Sequence, residues 1–170
     1  ITDSSGVVLK GTGAKISDST ITPGKGAGVR VSAAVQPGAP PRRSVTIDRC
    51  EITVKGKANA VSTDGSADVT VDGCTLRGSH SRAPVVEQVA PSVAAGTPPI
   101  LSIVNTQLTG GAPASVRTVG DSRLELHDVT TSGAATACYA DFAARMGIFG
   151  GDLGAKGPVA VSVGEGSGLT

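Results

Sequence analysis

One eight-residue pattern returns along nearly the whole chain and restricts the possible folds more than any other feature. It is clearest in Val45-Thr46-Ile47-Asp48-Arg49-Cys50-Glu51-Ile52 and comes back as Ala14–Ile21, Val69–Leu76 and Leu101–Leu108, then more weakly as Leu124–Thr131 and Met146–Leu153. Aligned, the third position holds Ile16, Ile47, Val71, Ile103, Leu126 and Ile148, and the eighth holds Ile21, Ile52, Leu76, Leu108, Thr131 and Leu153. Both positions are apolar in almost every copy, so both point inward. Lys15, Thr46, Thr70, Ser102, Glu125 and Gly147, at the second position and mostly polar, give the period-two alternation of a strand with one dry face.

The position between the two apolar sites reads Asp18, Arg49, Gly73, Asn105, Asp128 and Gly150. Most of these residue types tolerate a positive φ, which predicts a one-residue corner between two short strands. The next position, Ser19, Cys50, Cys74, Thr106, Val129 and Gly151, is small, as the inside of a tight bend requires.

The third-position residues follow one another at intervals of 31, 24, 32, 23 and 22. A basic unit of 22–24 residues made of strands and corners predicts a solenoid, with each unit forming one turn whose strands lie parallel to those of the turn before. A further strand per unit is expected at Gly28–Val31, Asn59–Val61, Pro84–Val86, Ala114–Val116, Ala137–Tyr139 and Pro158–Val161, with a first strand at Val7–Leu9. Residues 33–43, broken by three prolines, and 87–99 read as two long loops leaving the same corner of the coil, which accounts for the two long intervals. Ala134–Arg145 is alanine-rich enough for a short helix, but Cys138 and Tyr139 fall where a strand is due, and strand plus loop is the preferred reading.

Composition fits such a coil. The apolar fraction is 39% but only 2% is aromatic, as suits a narrow interior lined by stacked aliphatic side chains. The net charge of +1 gives no field to recruit nucleic acid or an anionic membrane, and aromatic platforms for bases are lacking. No apolar run is long enough to span a bilayer as a helix. The pattern runs into both ends, so residues 1–170 read as a single domain that is a piece of a longer solenoid, with open terminal coils that tend to associate end to end.

Candidate chemistry is sparse. Asp48 and Asp72 share a position in successive copies and should stand about 5 Å apart on the outer face, where paired carboxylates can share a cation or a proton. Arg42, Arg43 and Arg49, with Lys55 and Lys57, form a modest basic face able to grip an acidic sugar. These five, Asp48, Asp72, Arg42, Arg43 and Arg49, are the candidate ligand-binding residues. Cys50 and Cys74 stack in one position and read as small buried residues, since their parallel side chains are poorly aimed for a disulfide and no metal-binding spacing is present. No catalytic residue, metal or cofactor is assigned.

The repeats Ser44–Thr53, Asp68–Arg77 and Leu101–Thr109 resemble those of the pectate-lyase-like superfamily, which implies an all-β, right-handed parallel β-helix of about six coils. The Ala/Gly/Pro-rich loops and the run Thr109–Val119 followed by Ser122–Leu126 look most like passenger domains of pertactin-type autotransporters. That resemblance implies a non-catalytic bacterial adhesin, at the cell surface or secreted, whose partner is a glycan or host-surface ligand. Three cysteines depart from the passenger pattern and leave a cytoplasmic or differently exported protein open. The alternative within the superfamily is a polysaccharide-active lyase, hydrolase or epimerase. Only Asp48 and Asp72 match the acid clusters of those members, and no basic residue is expected in register beside them.

Overall fold

The computed structural model describes residues 6–10, 13–32, 44–65, 67–79, 83–90 and 98–170. All regular structure among them is strand, and all the strand pairings are parallel. The copies of the repeat form the strand pairs β2 (Ala14–Ser17) and β3 (Thr20–Ile21), β5 (Ser44–Asp48) and β6 (Glu51–Thr53), β8 (Asp68–Asp72) and β9 (Thr75–Arg77), and β11 (Ile100–Val104) and β12 (Gln107–Thr109). In the last two copies one strand runs through the corner, as β14 (Arg123–Ser132) and β16 (Arg145–Leu153). The third strand of each unit is β1 (Val7–Leu9), β4 (Val29–Val31), β7 (Val61–Thr63), β10 (Val86–Val89), β13 (Ala114–Val119), β15 (Thr136–Asp141) and β17 (Val161–Val163), and β18 (Gly168–Leu169) follows.

Every unit pairs with the units before and after it. β2, β5, β8, β11, β14, β16 and β18 form one ladder, and β3, β6, β9 and β12 a second that joins the first through β14 into an eleven-stranded sheet. The third strands build a separate seven-stranded sheet. Register follows the aligned repeats without a slip: Ile16 pairs with Ile47, Ile47 with Val71, Val71 with Ile103, Ile103 with Leu126 and Leu126 with Ile148. From Ile47 to Leu126 this file is fully buried, as are Ile21, Ile52 and Leu76 of the eighth position. Each such aliphatic side chain contributes about 1.5–3 kcal/mol by leaving water, which makes the double file the principal source of stability.

The corners are where the sequence placed them. Asp18, Arg49, Gly73, Asn105, Asp128 and Gly150 all have positive φ, between 46° and 77°. Just inside the bend the small residues do more than fit. Ser19 Oγ, Cys50 Sγ, Cys74 Sγ and Thr106 Oγ1 each donate to the carbonyl two residues back, at 2.8, 3.3, 3.2 and 2.7 Å. The Cys50 N–H donates to Cys74 Sγ (3.3 Å) and the Cys74 N–H to Thr106 Oγ1 (3.2 Å), so one side chain satisfies backbone groups of two units. All three cysteines are unbridged and buried, and burial pushes the thiols of Cys74 and Cys138 up to about 11 and about 12.

Some strand boundaries differ from expectation. The third strands were expected at Asn59–Val61, Pro84–Val86 and Pro158–Val161, yet β7, β10 and β17 begin where those segments end. The cause is a bend at strand entry: the N–H groups of Ala60 and Val61 both donate to Val85 O, and those of Ala137 and Cys138 both to Ala160 O. Two successive residues then face inward, as Ala60–Val61 and Val85–Val86 do, and the alternation changes phase. Consequently Glu87, Gln88 and Val89, expected at the start of a loop, belong to β10. The loop expected at 33–43 lies outside the described residues, as does the span 91–97 of the second. The ends that flank them leave β4 and β10 and enter β5 and β11, equivalent places in two units.

Gln88 is fully buried. It lies in register with Thr63 and Thr118, accepts a hydrogen bond from Thr118 Oγ1 (3.0 Å), and donates to Pro99 O (3.4 Å). Thr118 in turn shares a 2.7 Å bond with Ser122 Oγ, so the network is satisfied and ties β10 to β13 and to the segment entering β11.

Candidate functional site

The column of Asp48 and Asp72 runs Ser17, Asp48, Asp72, Val104, His127 and Phe149 across the first ladder. Asp48 does not stand exposed as expected. Its residue is 7% accessible, and its carboxylate is held by Lys15 Nζ at 3.1 Å and Arg49 Nη1 at 2.6 Å. Basic residues therefore do stand beside it, contrary to the expectation. Lys15 is one unit back, in register with Thr46, while Arg49 occupies the positive-φ corner, which turns its side chain back over the preceding unit.

The same guanidinium grips Asp18, with Nε to Oδ1 at 2.7 Å and Nη2 to Oδ2 at 2.8 Å. These bonds hold the Asp18 carboxyl below the usual carboxylate range and raise Arg49 further. Lys15, Asp48, Arg49 and Asp18 are thus one string of alternating charge joining the corners of two units. Asp72, although in register with Asp48, has a separate partner, Asn105 Nδ2 at 3.4 Å. Of the five candidate residues, Asp48 and Arg49 come together, Asp72 stands beside them with other company, and Arg42 and Arg43 lie outside the described residues.

Farther along the same face the sequence reading missed a second group. Glu125 holds Arg123 at 2.8 Å, accepts a 3.4 Å bond from Ser102 Oγ, and lies 3.8 Å from His127 Nε2. The His127 ring stacks on Phe149, with centroids 4.6 Å apart and planes inclined by 14°. Glycine at 147 permits this, because a Cβ there would come within 2.8 Å of the Phe149 ring. The aligned columns held the signal, since His127 and Phe149 occupy the same position in successive copies. On the third ladder Arg117 bonds Glu87 at 3.0 Å, again between neighbouring units. Among the described residues, no three His, Cys, Asp or Glu side chains are grouped closely enough to hold a metal ion.

One ionisable group offers a clean titration. Tyr139, the single tyrosine in a chain without tryptophan, donates its hydroxyl to Asp141 Oδ2 at 3.0 Å. This bond and the adjacent charge raise its pKa above the ordinary value of 10.0. Since the folded value exceeds the unfolded one, the bond contributes stability fully present below pH 10 and lost as pH rises through the folded value. In a spectrophotometric titration the native phenol should ionise at higher pH than the unfolded chain, and Asp141→Asn should bring the native midpoint down. An unmoved midpoint in that variant would contradict the assignment.

No protein-family model, curated protein or solved structure matches the chain.

Proposed function

We propose that the chain is a segment of a right-handed parallel β-helix of the pectate-lyase-like kind, most similar to pertactin-type autotransporter passengers, serving as a rigid non-catalytic binding surface. The in-register parallel units support the coil, and its hand follows from the strong preference of parallel crossovers for the right-handed path. The observation that carries the functional reading is the use made of charge. The string Lys15–Asp48–Arg49–Asp18, the pair Glu87–Arg117 and the group Arg123–Glu125–His127 each commit acids and bases to one another, half of the pairs across neighbouring units and half within one. Charge used in this way stiffens a scaffold and fixes its register. A carboxylate clasped between two cations, as Asp48 is, has its oxygens committed to them rather than open to a substrate.

The expected partner is a glycan or host-surface ligand, met at the cell surface or after secretion. The alternative, a polysaccharide-active enzyme, is favoured by the in-register placement of Asp48 and Asp72. A panel of neutral and acidic glycans, including polygalacturonate and alginate, distinguishes the two: retention of a glycan with no release of unsaturated or reducing ends is expected. Product release that disappears in Asp48→Asn or Asp72→Asn would establish the enzyme instead.

A further inference from the structure

A cavity of about 510 Å³ opens where the chain enters the first ladder, and its volume is that of an ordinary small-molecule site. Along one wall runs the register column Ile100, Arg123, Arg145 and Gly168, one residue from each of four successive units. Pro98 and the turn containing Ser167 complete the lining. We infer that this cavity binds the oxyanion of a small ligand, a carboxylate or a phosphate group, with Arg145 as its anchor.

Three features point to this ligand. First, Arg123 and Arg145 lie in register on neighbouring strands, whose backbones run roughly 4.8 Å apart, and both line the cavity, so two guanidinium groups are available to one anion. Second, their charges are unequally committed. Glu125 holds Arg123 at 2.8 Å, whereas among the described residues Arg145 is exposed and has no ion-pair partner, so the group retains one uncompensated positive charge. Third, Ser167 Oγ is buried without any hydrogen-bond partner. Ser167 is one of the residues lining the cavity, and an anion oxygen beside it would supply the bond this hydroxyl lacks. The neighbouring Gly166, at φ +71°, makes the turn that carries it.

The inference rests on the reading of the chain as a binding surface, but the two fail separately: release of polysaccharide products would sink that reading, and loss of oxyanion binding alone would sink this one. The test titrates the 170-residue chain with inorganic phosphate, galacturonate and neutral galactose, following backbone amide shifts and heats of binding. Saturable binding of phosphate or galacturonate is expected, with shifts centred on Ser167 and Gly168, and none with galactose. Tighter phosphate binding would identify a phosphorylated ligand, and tighter galacturonate binding an acidic sugar.

Arg145→Ala should weaken binding about tenfold or more, the loss of a charge-assisted hydrogen bond, while Arg145→Lys retains part of it. Ser167→Ala should weaken it by a smaller factor. Lys25→Ala, an exposed cation at the other end of the stack, should have no effect. Absence of saturation by either anion, equal affinity for galactose, or equal weakening by Lys25→Ala and Arg145→Ala would overturn the site. The amide shifts of the unaltered chain decide the matter even if a variant folds poorly.

Discussion

Ile103→Ala is expected to lower the free energy of unfolding by roughly 2–5 kcal/mol, the range for emptying a well-packed aliphatic site. Ile103 is fully buried, and Val71 on one side and Leu126 on the other lie in register with it. Those neighbours are fixed by their own ladder hydrogen bonds and cannot collapse into the space, which places the expected cost toward the upper part of the range. Ser102→Ala, one residue away on the outer face, removes only a 3.4 Å bond to Glu125 and should stay within about 0.5 kcal/mol. Denaturant unfolding followed by circular dichroism measures both. Equal effects at the two sites would mean that the inner file does not carry the stability assigned to it.

Gly120→Ala is the second large effect, expected to exceed roughly 3 kcal/mol because conformational strain and a backbone clash coincide. Gly120 has φ +87°, and a Cβ there would lie 2.1 Å from the carbonyl oxygen of Ala90. Ala90 cannot simply withdraw, since its own N–H donates to Val119 O at 2.9 Å and the residue is 5% exposed. Gly56 is the matched control. It has φ +69° with nothing within 4 Å of a Cβ, so Gly56→Ala should cost only the left-handed backbone preference, about 1 kcal/mol. If both substitutions cost the same, the close approach of the two turns is not a constraint.

The inner file and the corners could be read before any coordinates because they depend on local rules repeated in parallel. A position that must be aliphatic six times, or must accept positive φ six times, shows itself by column even when one member, such as Arg49, is an unusual choice. What escaped were features depending on where a side chain reaches once the backbone has turned. Asp48 looked exposed because alternation puts it outward, but the corner at Arg49 folds a guanidinium over it, and Lys15 arrives from a unit 31 residues earlier in the repeat. Gln88 falls in the loop expected at 87–99, yet it lies inside β10 with its amide satisfied by Thr118 and Pro99. Arg145 was passed over since nothing local marks it, and only the register with Arg123 gives it significance.

The nearest-neighbour pairing of the units has a mechanical consequence. Because every strand is bonded only to the strands immediately above and below it, tension applied at the two ends would load the outermost winding alone, and the chain should pay out like thread from a reel. Each winding released would add a length set by its 22 to 32 residues, about 75–110 Å, giving a sawtooth of low-force events, longer where a unit carries a loop, rather than a single rupture.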